Sequence, residues 1–421
     1  MADRSFLSWP FLEPRHAALH DRVDAWASAN VAPLCGEGET SAAAAAAVRR
    51  LAAAMGGEGF LATAVGGGDG SPHGPLDTRS LCVCRDVLAR HAGLADFAFA
   101  MQGLGTGPIS LFGTAEQKAR WLPAVARGTA ISAFALSEAE AGSDVSAIAT
   151  RAQREGDDWR LDGAKTWISN AGIADLYVVF ARTGEGPGAK GLSAFVVEAG
   201  APGFSVAKTI DLIAPHPIGA LAFDGVRARA ADMLGSPGDG FRIAMATLDV
   251  FRSTVGAAAL GFARRALDEA LRHARTRKLF GQPLSDLQLT RARLADMALA
   301  VDAAALLIYR AAWTRTSKAP ASAANPAWPS CSPPRRRRRR SIRRCRSSAG
   351  SASPTAISPR SSIGRSGRCA STRAPARCRN SSSRRGCSLK AKPRPIEGSF
   401  AVLLMPIAEN LDCRHRFRPQ A

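Results

Sequence analysis

The stretch FALSEAEAGSDVSAIATRA, residues 134–152, is the most informative part of the sequence. It begins as a short apolar strand, and a run of small and acidic residues breaks that strand at Glu138. Small residues let backbone N–H groups approach a ligand closely, and the hydroxyls of Ser137 and Ser143 can donate or accept hydrogen bonds. The stretch predicts a ligand-binding loop after a strand, although an ordinary polar turn accounts for these residues equally well by themselves.

The pattern of apolar residues changes on either side of this stretch. Alanine-rich segments and a capping box beginning at Thr114 predict helices before it. Short alternating runs between Gly and Asp turns predict an antiparallel sheet after it, and two amphipathic stretches joined by LFGQP predict a helical hairpin beyond the sheet. The fold class is therefore α+β, with four parts: a helical domain (1–130), a central β domain (131–236), the first part of a helix bundle (237–313) and a tail (314–421).

Charge separates the tail from the rest of the chain. The 421 residues carry a formal net charge of +21, yet residues 314–421 alone carry +22 and the first 313 residues carry −1. The tail is rich in Arg, Ser and Pro and lacks apolar periodicity, so we expect it to be disordered. It includes the run SPPRRRRRRSIRRCR (332–346), which raises the question of a polyanionic partner.

Cysteine usage and the N-terminus indicate an ordinary intracellular protein. The tail cysteines fit no zinc spacing, and Cys82 and Cys84 are interpreted as packing residues, so we predict no metal site. The N-terminus lacks the apolar region of a signal peptide, and no run approaches the roughly 20 apolar residues of a membrane span. We expect a cytoplasmic protein. No dinucleotide-binding GxGxxG follows a strand, and GLGTGP (103–108) is interpreted as a loop.

A family resemblance adds to these patterns. ALSEAEAGSDVSA resembles the first signature of the acyl-CoA dehydrogenases, flavoproteins that oxidise an acyl-CoA thioester across its α and β carbons. EQKARWLP precedes it, and LDGAKTWISNAG, LGSPGDGF, LDVFR and ARTRKLFGQPLSDLQ follow in order. The resemblance covers roughly residues 10–313. It implies a helical domain, a central β-barrel-like domain and a C-terminal helix bundle, with FAD as the cofactor.

The resemblance also implies site residues. The strand Phe134, Ala135, Leu136 and Ser137 would line the flavin ring, with the Ser137 hydroxyl bonded to it. Residues Trp167, Ile168 and Ser169 would flank the other side of the ring. Ser143 would lie near the CoA pantetheine or the flavin phosphates. By composition alone Trp167 is more often a core residue, so its role depends on the family.

Three further implications concern larger partners. Arg277, Phe280 and Gln288 match positions that hold the FAD of a neighbouring subunit, which implies a homo-oligomer. Asp249 and Arg252 match positions that contact CoA. The family passes its electrons to an acceptor such as an electron-transfer flavoprotein. IAPHPIG (213–219) departs from the family pattern near the expected substrate mouth.

The catalytic base is missing from the sequence. The family's reaction needs a carboxylate to take the α-proton. The usual YEGTSE-like motif is absent, and a second family arrangement places the glutamate where this chain has Phe251. No catalytic residue is identified, and we expect dehydrogenation to be impaired in the chain as written.

We hypothesise that a frameshift, either a real mutation or a sequencing error, accounts for both the missing base and the arginine run. Read one nucleotide earlier, WPSCSPPR (328–335) can encode MAKLFATE, a frequent start of the family's next helix. In the same frame RSSAGSASP (346–354) can encode a glycine motif, and GRCASTRAPARC (367–378) a YEGTSE-like motif. The catalytic glutamate would be encoded across Thr372 and Arg373. We expect the slip between about residues 314 and 327.

Other function classes stay open. One is a protein that binds acyl-CoA and FAD without turnover; another is a related oxidase or nitroalkane-type flavoenzyme on the same fold. The third is a nucleic-acid or polyanion binder that uses the arginine-rich tail. The tail has almost no aromatic residues for base stacking, so we expect no specific nucleic-acid recognition.

Overall fold

The computed structural model describes residues 4–36, 40–66 and 76–318. The disordered tail was predicted to begin at residue 314, but residues 314–318 are helical, so the prediction is wrong for them. The rest of the predicted tail, from residue 319 onward, lies outside the described residues, and so do the three frameshift motifs. Domain boundaries from the sequence stay predictions, but the order of helices, sheet and helices is the one expected.

The described residues of the N-terminal part form six α-helices, preceded by a 3₁₀ turn at Ser5–Ser8. They are α1 (Pro14–Cys35), α2 (Ser41–Gly57), α3 (Phe60–Val65), α4 (Thr78–His91), α5 (Gly93–Phe112) and α6 (Ala115–Ala126). The predicted capping box at the start of α6 is confirmed: the Gln117 N–H donates to Thr114 Oγ1 at 3.2 Å, and the Thr114 N–H donates to Gln117 Oε1 at 2.9 Å. GLGTGP lies within α5, so its interpretation as a loop is wrong.

The central part is an eight-stranded sheet. Its strands are β1 (Ser132–Ala135), β2 (Arg151–Glu155), β3 (Asp158–Ser169), β4 (Leu176–Arg182), β5 (Leu192–Glu198), β6 (Phe204–Thr209), β7 (Ile218–Ala228) and β8 (Met233–Leu234). The order is β6-β7-β3-β2-β4-β5-β8, and β1 pairs with β4. β1 and β2 both run parallel to β4, so the sheet is mixed rather than antiparallel.

The predicted barrel-like closure is not supported. Among the described strands no ladder joins β6 to β8, and the strand order is an open path. β8 has two residues, and β6 is an edge strand with mostly exposed side chains. Central strands β4 and β5 are buried along nearly their whole length, which explains their continuous apolar runs.

Two long helices complete the described chain. These are α7 (Gly240–Thr276) and α8 (Gln288–Lys318), and the turn between them holds a two-stranded ribbon, β9 (Lys278–Leu279) with β10 (Gln282–Pro283). A buried polar cluster joins both helices to α4: the Tyr309 hydroxyl donates to Asp86 Oδ2 at 2.9 Å, and Arg264 Nε donates to the same oxygen at 3.2 Å. Both helices therefore pack against α4 of the N-terminal part.

One expectation about membranes needs correction. We expected no apolar run long enough for a membrane span, but α7 is long and apolar enough by length and composition. Half of its apolar window is buried inside the protein, where it packs against α4, α5 and α8. A core helix passes the same test.

Candidate functional site

A cavity of about 520 Å³ opens where the sheet meets α5 and α7. This volume lies within the range of small-molecule and cofactor sites. Its walls combine strand ends, the loop after β1 and two helix faces. The lining residues are Met101, Leu104, Ala133, Phe134, Leu136, Ser137, Gly142, Ser143, Asp144, Val145, Ser146, Trp167, Ile168, Ser169, Phe241, Met245, Leu248 and Arg252.

The end of β1 forms the first wall. Phe134 packs against Phe180 with 5.0 Å between ring centroids, and Leu136 and Ser137 follow it along the cavity. Ala135, which was predicted to line the flavin ring, is fully buried and does not line the cavity. Ala135 faces the protein interior between the lining residues Phe134 and Leu136.

The end of β3 forms the second wall and is strained. Trp167 has a φ of 59°, in the left-handed region that a bulky residue rarely adopts. The pairing register with β7 shifts between Lys165 and Ile168, which marks a bulge. The bulge re-aims the indole, which is 57% exposed and lines the cavity together with Ile168 and Ser169. Strain of this kind clusters at ligand sites.

Three serine hydroxyls that make no hydrogen bond within the described residues line different sides of the cavity. The side chains of Ser137, Ser143 and Ser169 line it, and none of them makes a hydrogen bond within the part of the chain that the structure describes. A Cβ atom on Gly142 would meet nothing within 4 Å, so the loop backbone is open to a ligand there. Apolar rings with free hydroxyls between them suit a flat heteroaromatic group with a polar edge.

The helical wall was not predicted from the sequence, apart from Arg252. Phe241, Met245, Leu248 and Arg252 follow the spacing of one face of α7, and Met101 and Leu104 face them from α5. Arg252 Nη1 donates to Asp249 Oδ1 at 2.8 Å. Asp249 therefore lies beside the cavity and orients Arg252 rather than lining the wall itself. The i, i+4 spacing of the α7 residues is the signal that could have found this face.

A buried ion pair lies behind the two strand walls. Lys165 Nζ donates to Glu138 Oε1 at 2.7 Å and to the Leu136 carbonyl at 3.1 Å, and its side chain is 0% exposed. Burial lowers the pKa of Lys165 to about 8 despite the opposing charge of Glu138. Burial alone would raise the pKa of Glu138, but the Lys165 charge and the hydrogen bonds to the carboxylate hold that pKa below its usual value.

Carboxylates are scarce at the cavity. Among the described lining residues the only carboxylate is that of Asp144, which is exposed. Its Oδ1 accepts from the Ser146 N–H at 3.1 Å and lies 2.5 Å from the Ser146 hydroxyl, so it caps a short 3₁₀ turn. Phe251, at the alternative base position, is buried between α7 and the glycine face of α5.

The remaining predicted residues lie elsewhere. Arg277, Phe280 and Gln288 are at the turn between α7 and α8, and all three are exposed and outside the cavity lining. Phe280 is 91% exposed and has a φ of 52°. Since one chain is described, their predicted contact with the FAD of a neighbouring subunit stays a prediction.

Family comparisons match this geometry along the chain. Residues 13–129 match the acyl-CoA dehydrogenase N-terminal domain, 133–226 the middle domain and 238–328 the C-terminal domain. The chain belongs to the acyl-CoA dehydrogenase family. The family consists of oxidoreductases of fatty acid metabolism, and the chain belongs to this enzyme class.

Individual relatives and solved structures support the same family assignment. The probable acyl-CoA dehydrogenase fadE25 of Mycobacterium leprae is 42% identical over 62% of this chain and 67% of its own length. A chain in the structure of the electron transferring flavoprotein of Acidaminococcus fermentans has a TM-score of 0.65 and 33% identity, covering 73% of this chain and 81% of its own. A glutaryl-CoA dehydrogenase from Mycobacterium smegmatis in complex with FADH2 has a TM-score of 0.64 and 27% identity, covering 72% and 77%.

The matched part of the relatives is limited. The chain spans 61 to 67% of the length of the mycobacterial relatives it matches. The activity, substrate and partners of a whole acyl-CoA dehydrogenase are therefore proposals for this chain.

Proposed function

We propose that the cavity binds FAD and an acyl-CoA thioester, and that the chain as written lacks the base needed for normal turnover. The observation that carries this proposal is that one cavity brings together the end of β1, the end of β3 and Arg252 in an acyl-CoA dehydrogenase fold.

The donor set of the cavity fits FAD. Phe134 and Leu136 offer apolar surface on one wall, and Trp167 offers an exposed indole on the other. The unpaired hydroxyls of Ser137 and Ser169 can bond the polar edge of a flavin ring. FAD supplies the two-electron acceptor for the family's reaction. The residues of this chain supply the binding, the orientation and the exclusion of water.

The helical wall fits an acyl-CoA. Arg252 is a cation held in place by Asp249, and it suits the anionic phosphates of CoA. Met101, Leu104 and Leu248 form an apolar surface against which an acyl chain can pack. In the proposed reaction the thioester loses a proton from its α carbon and a hydride from its β carbon, and the product is the 2,3-enoyl-CoA.

The proposed impairment follows from the scarcity of carboxylates. Asp144 is bound to Ser146, Asp249 to Arg252 and Glu138 to Lys165. None of these carboxylates is a free base inside the cavity, and Phe251 cannot accept a proton. A chain that binds FAD and acyl-CoA without producing enoyl-CoA is the form of the proposal that these contacts support.

Two partners belong to the proposal. The electron acceptor is an electron-transfer flavoprotein, a kind of partner supported by the similarity to a chain in such a structure. A second copy of the chain would use Arg277, Phe280 and Gln288 to hold the FAD of its neighbour. The exposure of all three residues is compatible with this role.

Binding and turnover are tested separately. Purified full-length protein is dialysed with FAD, and the bound flavin is quantified from its visible absorbance before titration with butyryl-CoA. We expect flavin to bind, butyryl-CoA to perturb its spectrum, and enoyl-CoA to stay at background with an artificial electron acceptor. Failure to retain FAD overturns the binding proposal, whereas family-level turnover overturns only the impairment.

The frameshift hypothesis has its own test. The gene is sequenced from source DNA across codons 310–390 at high coverage. One base missing or extra against the present sequence restores a glutamate near position 373, and the protein is then a complete dehydrogenase. An unchanged sequence would show a damaged gene copy, and a frame-restored gene then provides the active control for the turnover assay.

A further inference from the structure

The buried Lys165–Glu138 pair connects the two strand walls of the cavity. Three hydrogen bonds join residues 136–138 to residues 165–166. Lys165 Nζ donates to the Leu136 carbonyl at 3.1 Å and to Glu138 Oε1 at 2.7 Å, and the Thr166 N–H donates to the Ser137 carbonyl at 2.9 Å. These bonds enclose Ser137 and end one residue before Trp167.

The other side of the Glu138 carboxylate holds the far end of the cavity loop. Its Oε2 accepts from the Ala149 N–H at 2.7 Å, and its Oε1 accepts from the Thr150 N–H at 3.0 Å. The loop between these contacts, residues 139–148, contains Gly142 and Ser143 of the cavity lining. One carboxylate therefore fixes both the start and the end of that loop.

Trp167 depends on the same contacts. Its left-handed backbone is unfavourable for a residue with a Cβ atom, and such a conformation persists only where its neighbours hold it. On one side Lys165 and Thr166 are tied to the β1 wall, and on the other Ile168 pairs with Gly219 of β7. The strained residue lies between two fixed points.

Lys165 cannot act on a ligand directly. Its side chain is fully buried and is absent from the cavity lining. Any influence on the site must pass through Ser137, Trp167 and the 139–148 loop.

We propose that Lys165 and Glu138 are positioning residues that set the separation of the two strand walls and thereby the fit of the flavin ring. This inference rests on the proposed function, since it assigns the flavin to the space between those walls. Functional side chains lose efficiency when their supporting contacts let them move by about an ångström. A pair whose only role is stability would change the melting temperature without changing that separation.

The test compares Lys165→Met with the wild-type full-length chain. We expect FAD affinity to fall on the order of tenfold to a hundredfold, as when the outer contacts of a bound group are removed at other sites, and the visible spectrum of the remaining bound flavin to shift. We also expect faster hydrogen exchange at the Thr166, Ala149 and Thr150 amides in the protein without FAD. Lys165→Arg should restore part of both, because its guanidinium can donate to Leu136 and Glu138 together.

Two further variants separate positioning from folding. The double variant Lys165→Met/Glu138→Gln leaves no buried charge without a partner. It therefore tests the positioning role of the pair in a less destabilised chain. Arg85→Leu breaks another mostly buried ion pair, in which Arg85 Nη2 lies 2.7 Å from Asp96 Oδ2 and neither residue lines the cavity. It should lower the melting temperature. The FAD affinity of the folded variant should stay within about twofold of the wild-type value.

The outcomes are distinct. If Lys165→Met and the double variant resemble Arg85→Leu, with normal FAD affinity, spectrum and exchange rates, the positioning role is overturned. If the wild-type chain binds no FAD, the proposed function fails. The hydrogen-exchange rates of Lys165→Met then still test whether Lys165 and Glu138 hold the two strand walls in place. Faster exchange confined to the three amides supports this role, and unchanged exchange overturns it.

Discussion

Trp167 combines an unfavourable backbone with an exposed side chain. For an L-residue the left-handed conformation costs roughly 1–2 kcal/mol. The residue is not part of the buried core, since 57% of it is exposed. A residue kept under such conditions is better explained by a ligand than by packing.

Trp167→Gly should therefore separate stability from binding. Relief of the left-handed backbone offsets the added flexibility of glycine, so we expect the free energy of unfolding to change by no more than about 1 kcal/mol. FAD affinity should fall because one wall loses its ring. Urea unfolding and flavin titration measure the two effects, with Ile213→Ala as an exposed control outside the cavity. A loss of stability above about 2 kcal/mol with normal FAD binding would contradict this account.

Lys165 gives stability a specific dependence on pH. Its pKa is about 8 in the folded chain against 10.5 for an ordinary lysine. Between these values the unfolded chain binds more protons, so the free energy of unfolding rises with pH, and this gain is lost as the pH falls through 8. Across the window the wild type should gain about 3 kcal/mol relative to Lys165→Met.

Urea unfolding of both proteins at pH 7.5 and pH 10 measures this difference. Burial raises the pKa values of Tyr177 and Tyr309, and these tyrosines are present in both proteins, so the comparison cancels their titration. A difference between wild type and variant that is the same at both pH values would contradict the assignment.

Most of the site residues proposed from the sequence line one cavity, and their binding roles stay predictions. Eight of the residues proposed from the sequence line the same cavity: Phe134, Leu136, Ser137, Ser143, Trp167, Ile168, Ser169 and Arg252. The α5 and α7 walls were missed, because apolar residues on a helix face look like core until a neighbouring element leaves a space beside them. Lys165 and Glu138 were also missed, since nothing local shows that residues 27 positions apart form a pair.

Glycine served close packing in α5, where the sequence suggested a loop. A Cβ atom on Gly103 would lie 2.7 Å from the Ala64 carbonyl oxygen and 2.8 Å from the Phe251 ring. A Cβ atom on Gly107 would lie 2.7 Å from Thr247. The glycines let α5 approach α3 and α7, and this approach depends on tertiary packing that local propensity cannot report.

Gly103→Ala should destabilise the chain, and Gly57→Ala should not. At Gly103 the added methyl meets a backbone carbonyl that cannot rotate away, so we expect a loss of about 1–3 kcal/mol. At Gly57, in α2, nothing lies within 4 Å, and alanine should gain up to about 1 kcal/mol from its better helix propensity. Thermal melts of both variants provide the comparison. Equal effects would mean that the close approach of α5 is not maintained in solution.

The element order of the whole molecule followed from periodicity, but the sheet topology did not. Both parallel pairings to β4 join strands that are distant in sequence, and hairpin patterns report only neighbours. The predicted antiparallel barrel-like domain is an open mixed sheet for this reason. Family membership rested on ordered motifs, which are more specific than composition.

The positive charge of the chain predicts non-specific polyanion binding. Residues 314–421 carry the whole excess of charge, and the preceding 313 residues are nearly neutral. We expect the full chain to bind heparin, with affinity that falls steeply between about 50 and 200 mM salt and with no preference among DNA sequences. A chain that ends at residue 318 should not be retained. A sequence-dependent shift of DNA mobility would revive the nucleic-acid alternative.

The hydrogen bonds between α8 and α4 can form only late in synthesis, because their partners are far apart in sequence. Asp86 is bonded to Tyr309, 223 residues later, and Asp77 accepts from the Thr316 hydroxyl at 3.1 Å, 239 residues later. At roughly 5–20 residues per second, a ribosome needs about 10–50 seconds to add the second partner. During that time the N-terminal helices hold acidic groups that have no partner on α8. Until its last described helix emerges, the nascent chain lacks the Tyr309 bond to Asp86, whereas Asp77 can already pair with His16 and Arg79.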